Sequence, residues 1–328
     1  MGDDGGMREV DVAIVGAGPT GLFAAYYAGF RGLTVAVVDT LPEPGGQITA
    51  MYPEKDIFDV AGFPVIKGRD LVANLVAQAA TFSPHYQLGI RAEKLSYRDG
   101  SPVLRLADGS ELGCGAVIIT GGLGGFTPRP LPAAEAYPGA GIVYFVPRLD
   151  DLAGHDVLIV GGGDSAFDWA LALHPVAKSV TLVHRRDRFR AHPATVDRVR
   201  ALPVRIVVNA QVTALHGEIR VTAAEIAVDR GGTQRIPVDT VVAALGFTAD
   251  LGPLAEWGLD LDRRHVVVDS TMATNLPRVF AAGDIVDYPG KVRLIATGFG
   301  EAATAVNNAA VAIDPAAHLF PGHSSEGG

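Results

Sequence analysis

The chain has 328 residues, 48% of them apolar, with 40 glycines, one cysteine and a formal charge of −9. That length fits two domains with cores of their own, the negative charge argues against general nucleic-acid binding, and no apolar run of about 18 residues marks a membrane span. The lone Cys114 excludes any intramolecular disulfide and any Cys-x-x-Cys redox pair.

The opening nine residues are polar and acidic, unlike a secretory signal, so a cytoplasmic protein is expected. An α/β unit starts near Glu9. Its first strand runs into Asp11-Val-Ala-Ile-Val-Gly16-Ala-Gly18-Pro-Thr20-Gly21, and a second strand, Thr34-Val-Ala-Val-Val-Asp39, ends on a carboxylate 23 residues beyond Gly16. Such a turn after a β-branched strand and before a helix is a dinucleotide fingerprint. Gly16 makes the turn, Gly18 lets the backbone approach a pyrophosphate, and Gly21 lets helix and strand pack closely. An acid at Asp39 accepts from a ribose diol and repels a 2′-phosphate, so this turn predicts FAD.

A long aromatic loop follows, from Pro44-Gly-Gly46-Gln47-Ile48 through Tyr52 to Phe63-Pro64, suited to covering a flavin ring. Tyr52 would stack on it, and Gln47 would bond its polar edge. A helix is expected over residues 67–80, short strands over 86–112 with a turn at Asp99-Gly100, and a strand at Val117–Thr120. Cys114 falls in that buried strand region and is read as a packed apolar residue. Residues 121–130 are too rich in Gly and Pro for a helix and read as a crossover or hinge.

A second fingerprint runs Asp156-Val-Leu-Ile-Val-Gly161-Gly-Gly163-Asp164-Ser165-Ala166. Its next strand, Ser179-Val-Thr-Leu-Val-His184, ends 23 residues beyond Gly161 and continues as Arg185, Arg186, Asp187, Arg188, Phe189 and Arg190. The position that holds an acid in the first copy holds a basic pair here. Arginines neutralise a 2′-phosphate, so the second turn predicts NADP, with Arg190 folding back as a third contact. A β-meander is expected after His192, and an exit strand at Val241–Phe247 mirrors Val117–Gly121.

The chain then returns to the first domain with a strand at Val266–Asp269 and the run Phe280-Ala-Ala-Gly283-Asp284. Asp284 would accept from ribitol hydroxyls while backbone N–H meets the pyrophosphate. A helix over 299–313, opened by Gly298-Phe-Gly300-Glu301, would turn its positive end toward the flavin. The expected class is α/β with two nucleotide-binding Rossmann-like domains: FAD over 1–120 and 245–328, NADP over 121–244. The histidines show no metal-ligand spacing.

Together these residues resemble the ferredoxin/flavodoxin–NADP+ reductases of the thioredoxin-reductase-like type, over essentially the whole chain. The distinguishing stretches are Gly45-Gly-Gln-Ile with Met51-Tyr-Pro-Glu-Lys-Asp-Ile-Phe-Asp-Val-Ala-Gly-Phe-Pro64, Gly125-Phe126-Thr-Pro-Arg129, Ala296-Thr-Gly-Phe-Gly-Glu-Ala302 and the tail His323-Ser-Ser325. Where a thioredoxin reductase carries its Cys-x-x-Cys, this chain reads Gly141-Ile-Val-Tyr-Phe-Val-Pro-Arg148.

The resemblance implies FAD contacts from Asp39, Gln47, Tyr52, Phe126, Asp284, Thr304 and Ser325, with Ala92 meeting adenine through its backbone. It implies a homodimer in which His323 of one subunit covers the flavin of the other. The reaction implied is hydride transfer from NADPH to the flavin N5, then single-electron steps to ferredoxin or flavodoxin, with the cofactor carrying the chemistry. Rotation about residues 121–130 and 245–250 would bring the rings together. A flavin oxidase or a quinone or disulfide reductase with a small acceptor stands as the alternative, and a non-enzymatic redox sensor behind it. Lys55, Lys67, Arg69, Lys291 and Arg293 are candidates for a basic patch that docks an acidic carrier protein.

Overall fold

The computed structural model of the chain describes residues 8–122, 124–320 and 322, and Arg8, Phe126 and Ala249 by their backbone alone. Two compact units emerge, unit 1 from Met1–Ala50, Asp56–Gly125 and Ala249–Gly328, unit 2 from Met51–Lys55 and Phe126–Thr248.

In unit 1, strand β1 (Arg8–Val15) lies between β2 (Val35–Asp39) and β6 (Glu111–Ile119), parallel to both. Val12, Ala13, Ile14 and Val35–Val38 are buried one after another, the mark of parallel strands covered on both faces. Helices α1 (Pro19–Phe30), α2 (Gln47–Met51) and α3 (Gly68–Ala80) follow, the last close to its predicted span. Beyond β2 lies β3 (His85–Leu88); β4 (Ala92–Arg98) and β5 (Ser101–Leu106) form a hairpin on the first part of β6. Asp99 and Gly100 turn it, with φ of 50° and 79°.

Unit 2 adds the short helix α4 (Pro132–Glu135) and a five-stranded parallel sheet. Its order is β7 (Ile142–Val143), β14 (Thr240–Ala243), β8 (Asp156–Val160), β9 (Ser179–Val183), β10 (Arg205–Val207). Helix α5 (Asp164–Leu173) joins β8 to β9. A meander of β11 (Ala210–His216), β12 (Ala223–Val228) and β13 (Gly232–Pro237) completes the unit.

The meander starts later than the sequence suggests. Helix α6 (Pro193–Arg200) comes directly after His192, which caps it by accepting from the Ala194 N–H at 3.3 Å. Pro193 sits at a first-turn position that needs no N–H, and Val196 and Val199 bury one face. The exit strand is also shorter: regular pairing ends after Ala243, where the Ala244 N–H turns back to the Val242 oxygen at 3.2 Å.

Back in unit 1, β15 (Val279–Ala281) pairs in parallel with Val117–Ile119 of β6, and α7 (Ile295–Ile313) closes the unit. The strand expected at Val266–Asp269 is His265–Val267. Helix α7 starts four residues before the expected 299, so Gly298 and Gly300 lie inside it. Gly298 is tolerated there because an added Cβ would stand 2.4 Å from Thr20 Oγ1, so close packing requires glycine. Among the described residues no helix is long and apolar enough to cross a membrane.

Candidate functional site

Each fingerprint folds as a strand–turn–helix, and its glycines divide into two kinds. Gly16 has a φ of 118°, and an added Cβ would lie 2.6 Å from the Thr120 carbonyl carbon. A Cβ on Gly21 would stand 1.9 Å from the Gly16 oxygen. Both are packing glycines. Gly18, the N-cap of α1, would meet nothing within 4 Å, and no side chain caps that helix end. The open side of Gly18 and the helix N-terminus together make a cradle for an anionic group.

Asp39 closes the cradle from the end of β2. Its Oδ2 accepts from the Ala17 N–H at 2.6 Å and its Oδ1 from the Leu41 N–H at 2.8 Å. A carboxylate offers about four acceptor sites, so two remain for a ribose diol. Thr120, buried at the end of β6, donates from Oγ1 to the Gly16 oxygen at 2.8 Å and pins the turn from behind. The sequence pattern places Thr120 in the strand, and only the folded turn brings its hydroxyl to Gly16.

Unit 2 repeats the plan with other contacts. A Cβ on Gly161 would lie 2.4 Å from the Ala244 oxygen, Ala244 standing where Thr120 stands in unit 1. Gly163, the N-cap of α5, again faces open space, and Ser165 is exposed in the first turn. Ala166 is fully buried.

The loop after β9 folds back onto this turn. The Arg190 N–H donates to the Gly162 oxygen at 2.8 Å, and the His192 N–H to Asp164 Oδ1 at 2.8 Å. The His184 ring lies against Gly162, where a Cβ would stand 2.4 Å away. Partial burial, then the charges of Arg185, Arg186 and Arg190, hold the His184 pKa below its ordinary value. The three arginines are exposed, and none makes an ion pair among the described residues. Uncompensated cations beside an open helix N-terminus suit a phosphate.

The remaining predicted residues fall in several places. Gln47 opens α2, with Nε2 3.2 Å from where a Cβ of Gly122 would stand. Gly45 bonds back to the first turn, its N–H donating to the Ala17 oxygen at 2.8 Å. Ala92 is buried at the start of β4 opposite Leu106. Thr304 donates to the Gly300 oxygen at 3.0 Å within α7. Tyr52 belongs to unit 2, half-buried against the cluster that contains Phe167 and Trp169, with Lys55 Nζ 5.9 Å from its ring centre and paired to Asp168 at 2.7 Å. The Phe126 backbone lies in the short strand Gly125–Pro128. His323 and Ser325 lie outside the described residues.

Thr20, Gly283 and Gly298 meet. A Cβ on Gly283 would be 2.9 Å from Thr20 Oγ1, so the starts of α1 and α7 and the end of β15 converge. Asp284 follows, exposed at the surface. Its carboxyl still titrates above the ordinary carboxylate range, because the surrounding chain withdraws water and Glu301 adds a like charge, against Lys291 and Arg293.

One expectation fails here. Lys291 is no surface cation: its side chain is 2% exposed and pairs with Glu301, which is 5% exposed. Glu301 also accepts from the Gly283 N–H at 2.7 Å and from Tyr288 Oη at 2.6 Å. The Gly283 N–H is therefore committed to Glu301, and a pyrophosphate must find another donor. The signal for this network was present in the sequence, because Glu301 lies on the buried stripe Gly298, Ala302, Ala305, Ala309 of α7.

Two Rossmann-type units in one chain, each with a turn built for an anionic nucleotide, define a dinucleotide-handling oxidoreductase. The model of the pyridine nucleotide-disulphide oxidoreductase family matches residues 10–311, and the chain belongs to that family. It is 79% identical over 321 residues to a ferredoxin–NADP reductase of Salinispora arenicola, covering 98% of this chain and all of that one. It is 47% identical to ferredoxin–NADP reductase 2 of Shouchella clausii, over 96% of this chain and 97% of the other. Among solved structures it resembles the thioredoxin reductase of T. acidophilum, with a TM-score of 0.77 and 28% identity over 91% of this chain and 97% of that one. The single cysteine separates it from a reductase that works through a cysteine pair within one chain.

Proposed function

We propose that this chain is an FAD-dependent ferredoxin–NADP reductase, with FAD on unit 1 and NADP(H) on unit 2. The observation that carries the assignment is the reversal of charge at one structural position. Asp39 comes directly after Val38, the last residue paired with β1 in the strand that follows the first turn. His184, continuing into Arg185 and Arg186, comes directly after Val183, the last paired with β8 in the strand that follows the second. Relatives named ferredoxin–NADP reductase at 79% and 47% identity over nearly the full chain support the electron carrier.

On this reading Gly18 and the N-terminus of α1 receive the FAD pyrophosphate, Asp39 the adenosine ribose, and Asp284 the ribitol. Gly163 and the N-terminus of α5 receive the NADP pyrophosphate, with Arg185, Arg186 and Arg190 at the 2′-phosphate. FAD, when bound, supplies the exchange between a two-electron hydride donor and a one-electron acceptor. The chain's own part is to hold both nucleotides and to discriminate the phosphorylated one. No side chain need act as a nucleophile. Gln47, Ala92, Thr304 and Ser325 complete the proposed flavin site, a homodimer supplies His323 from the partner subunit, and flavodoxin is a second carrier. The enzyme would work in the cytoplasm.

The test is NADPH-dependent reduction of cytochrome c by the FAD-loaded chain, with and without a ferredoxin. A large ferredoxin-dependent rise is expected. No rise, alongside brisk reduction of ferricyanide or a quinone, would move the function to a reductase of small acceptors.

A further inference from the structure

Glu301, Lys291 and Tyr288 form a buried polar cluster that the nucleotide contacts above do not use. Glu301 projects from the second turn of α7 at a position otherwise filled by small apolar residues. Both of its oxygens are engaged: Oε2 by the Gly283 N–H, Oε1 by the Tyr288 hydroxyl and the Lys291 ammonium. Desolvation, followed by the bond to Glu301, pushes the Tyr288 phenol up to about 12, so it stays an O–H donor throughout the neutral range.

A buried ion pair is an expensive way to stabilise a core, since well-packed apolar residues of similar volume often do as well. What it adds here is a fixed direction. Gly283 has a φ of 87° and no room for a side chain against Thr20, so its N–H is the handle by which this turn is held. The residue after that handle is Asp284. Lys291 and Glu301 also act on the Asp284 carboxyl with opposite signs, which places both within electrostatic reach of it.

We propose that Glu301, backed by Lys291 and Tyr288, is a positioning residue that fixes the Gly283 N–H and thereby sets where Asp284 presents its carboxylate to the cofactor. The proposal rests on the reading that unit 1 binds FAD. It differs from a stability role in one respect: removing both charges together should leave the fold intact while loosening the turn.

The experiment uses the full chain carrying Glu301→Leu with Lys291→Met, which removes both charges and keeps the space filled. Three quantities are read: hydrogen exchange at the Gly283 amide, FAD affinity from flavin fluorescence quenching, and NADP+ affinity as the internal control. The double variant should exchange Gly283 and release FAD each about tenfold more readily, the scale of one hydrogen bond to a charged group, with NADP+ affinity unchanged. Glu301→Gln in the Lys291→Met background, which keeps an acceptor for the Gly283 N–H without leaving a buried charge unpaired, should recover part of both effects. Tyr288→Phe, which leaves the ion pair in place, should move both in the same direction by less. Unchanged Gly283 exchange, or unchanged FAD affinity, in a folded double variant overturns the positioning role. If the unaltered chain binds no FAD, the reading of unit 1 fails instead, and Gly283 exchange still decides whether Glu301 holds the turn.

Discussion

In unit 1 the third glycine of the fingerprint has no alternative, since a Cβ on Gly21 would stand 1.9 Å from the Gly16 oxygen. In unit 2 the same position already carries a methyl group, Ala166, and a Cβ on Gly161 would rest 3.0 Å from it. Gly16 also needs its positive φ, whereas Gly161 is not in the left-handed region. The first turn is drawn tighter against its helix and pinned by Thr120, and the second is looser and overlaid by His184. Backbone geometry thus tolerates variation between copies. On the proposed reading, the sign of charge at the end of the next strand does the choosing.

The largest effect should come from tightening the first turn further. Gly21→Ala overpacks a backbone contact, worth about 3 kcal/mol at the upper end of such changes, or roughly a hundredfold in FAD affinity if the strain falls on the bound state. The reciprocal Ala166→Gly should weaken NADP+ binding by less than about tenfold, since it costs the helix only about 1 kcal/mol. Fluorescence titration with FAD and calorimetry with NADP+ check the pair. Equal losses in the two would break the contrast between a tight and a loose turn.

Removing charge from the second turn should come next. Arg185→Ala combined with Arg186→Ala should raise the KM for NADPH about 10- to 100-fold, the loss expected for charge-assisted bonds of about 1.5–3 kcal/mol. The KM for NADH should stay where it was. A parallel rise for both nucleotides would mean that the arginines shape the loop and do not read the phosphate. Asp39→Asn should be milder, with FAD affinity falling about tenfold, because the amide still offers one acceptor to the Ala17 or Leu41 N–H. Retained FAD content on gel filtration, compared with the unaltered chain, measures it.

Much of this was legible in the sequence because the signals are local. A strand that runs into Gly16-Ala-Gly18 and a helix that starts at Pro19 are specified by neighbouring residues, and so is the acid-versus-basic contrast at a fixed offset. The helix Pro193–Arg200 was missed because its cap, His192, is an uncommon capping residue and its eight residues carry only two buried valines. The start of α7 was misplaced because glycine argues locally against a helix interior, while the contact of Gly298 with Thr20 links residues 278 apart. Lys291 shows the limit most clearly. A lysine in a polar loop reads as exposed, and only the folded chain brings Glu301 to it. Tertiary pairing of charges leaves no local trace beyond an acid on a buried stripe.

The smallest effect expected separates the buried strands of unit 1 from its nucleotide turn, since Cys114 lies in β6 well before Thr120. Desolvation pushes its thiol up to about 12 from an ordinary value of 9.0, with Sγ 3.5 Å from the Pro102 oxygen. The folded chain therefore keeps a proton that the unfolded chain releases as the pH rises past 9. More protons are bound in the native state over that window, so stability must fall with rising pH, by about 1.4 kcal/mol per unit until the folded pKa is reached. Urea unfolding at pH 8, 9 and 10, taken as the difference between the unaltered chain and Cys114→Ala, isolates this group from the tyrosines and lysines that titrate nearby. The difference should be flat below pH 9 and slope above it. A flat difference throughout would mean that the thiolate finds water or a compensating donor in the fold, and that the interior of β6 is less sealed than its fully buried neighbours Ala116, Val117 and Ile118 indicate.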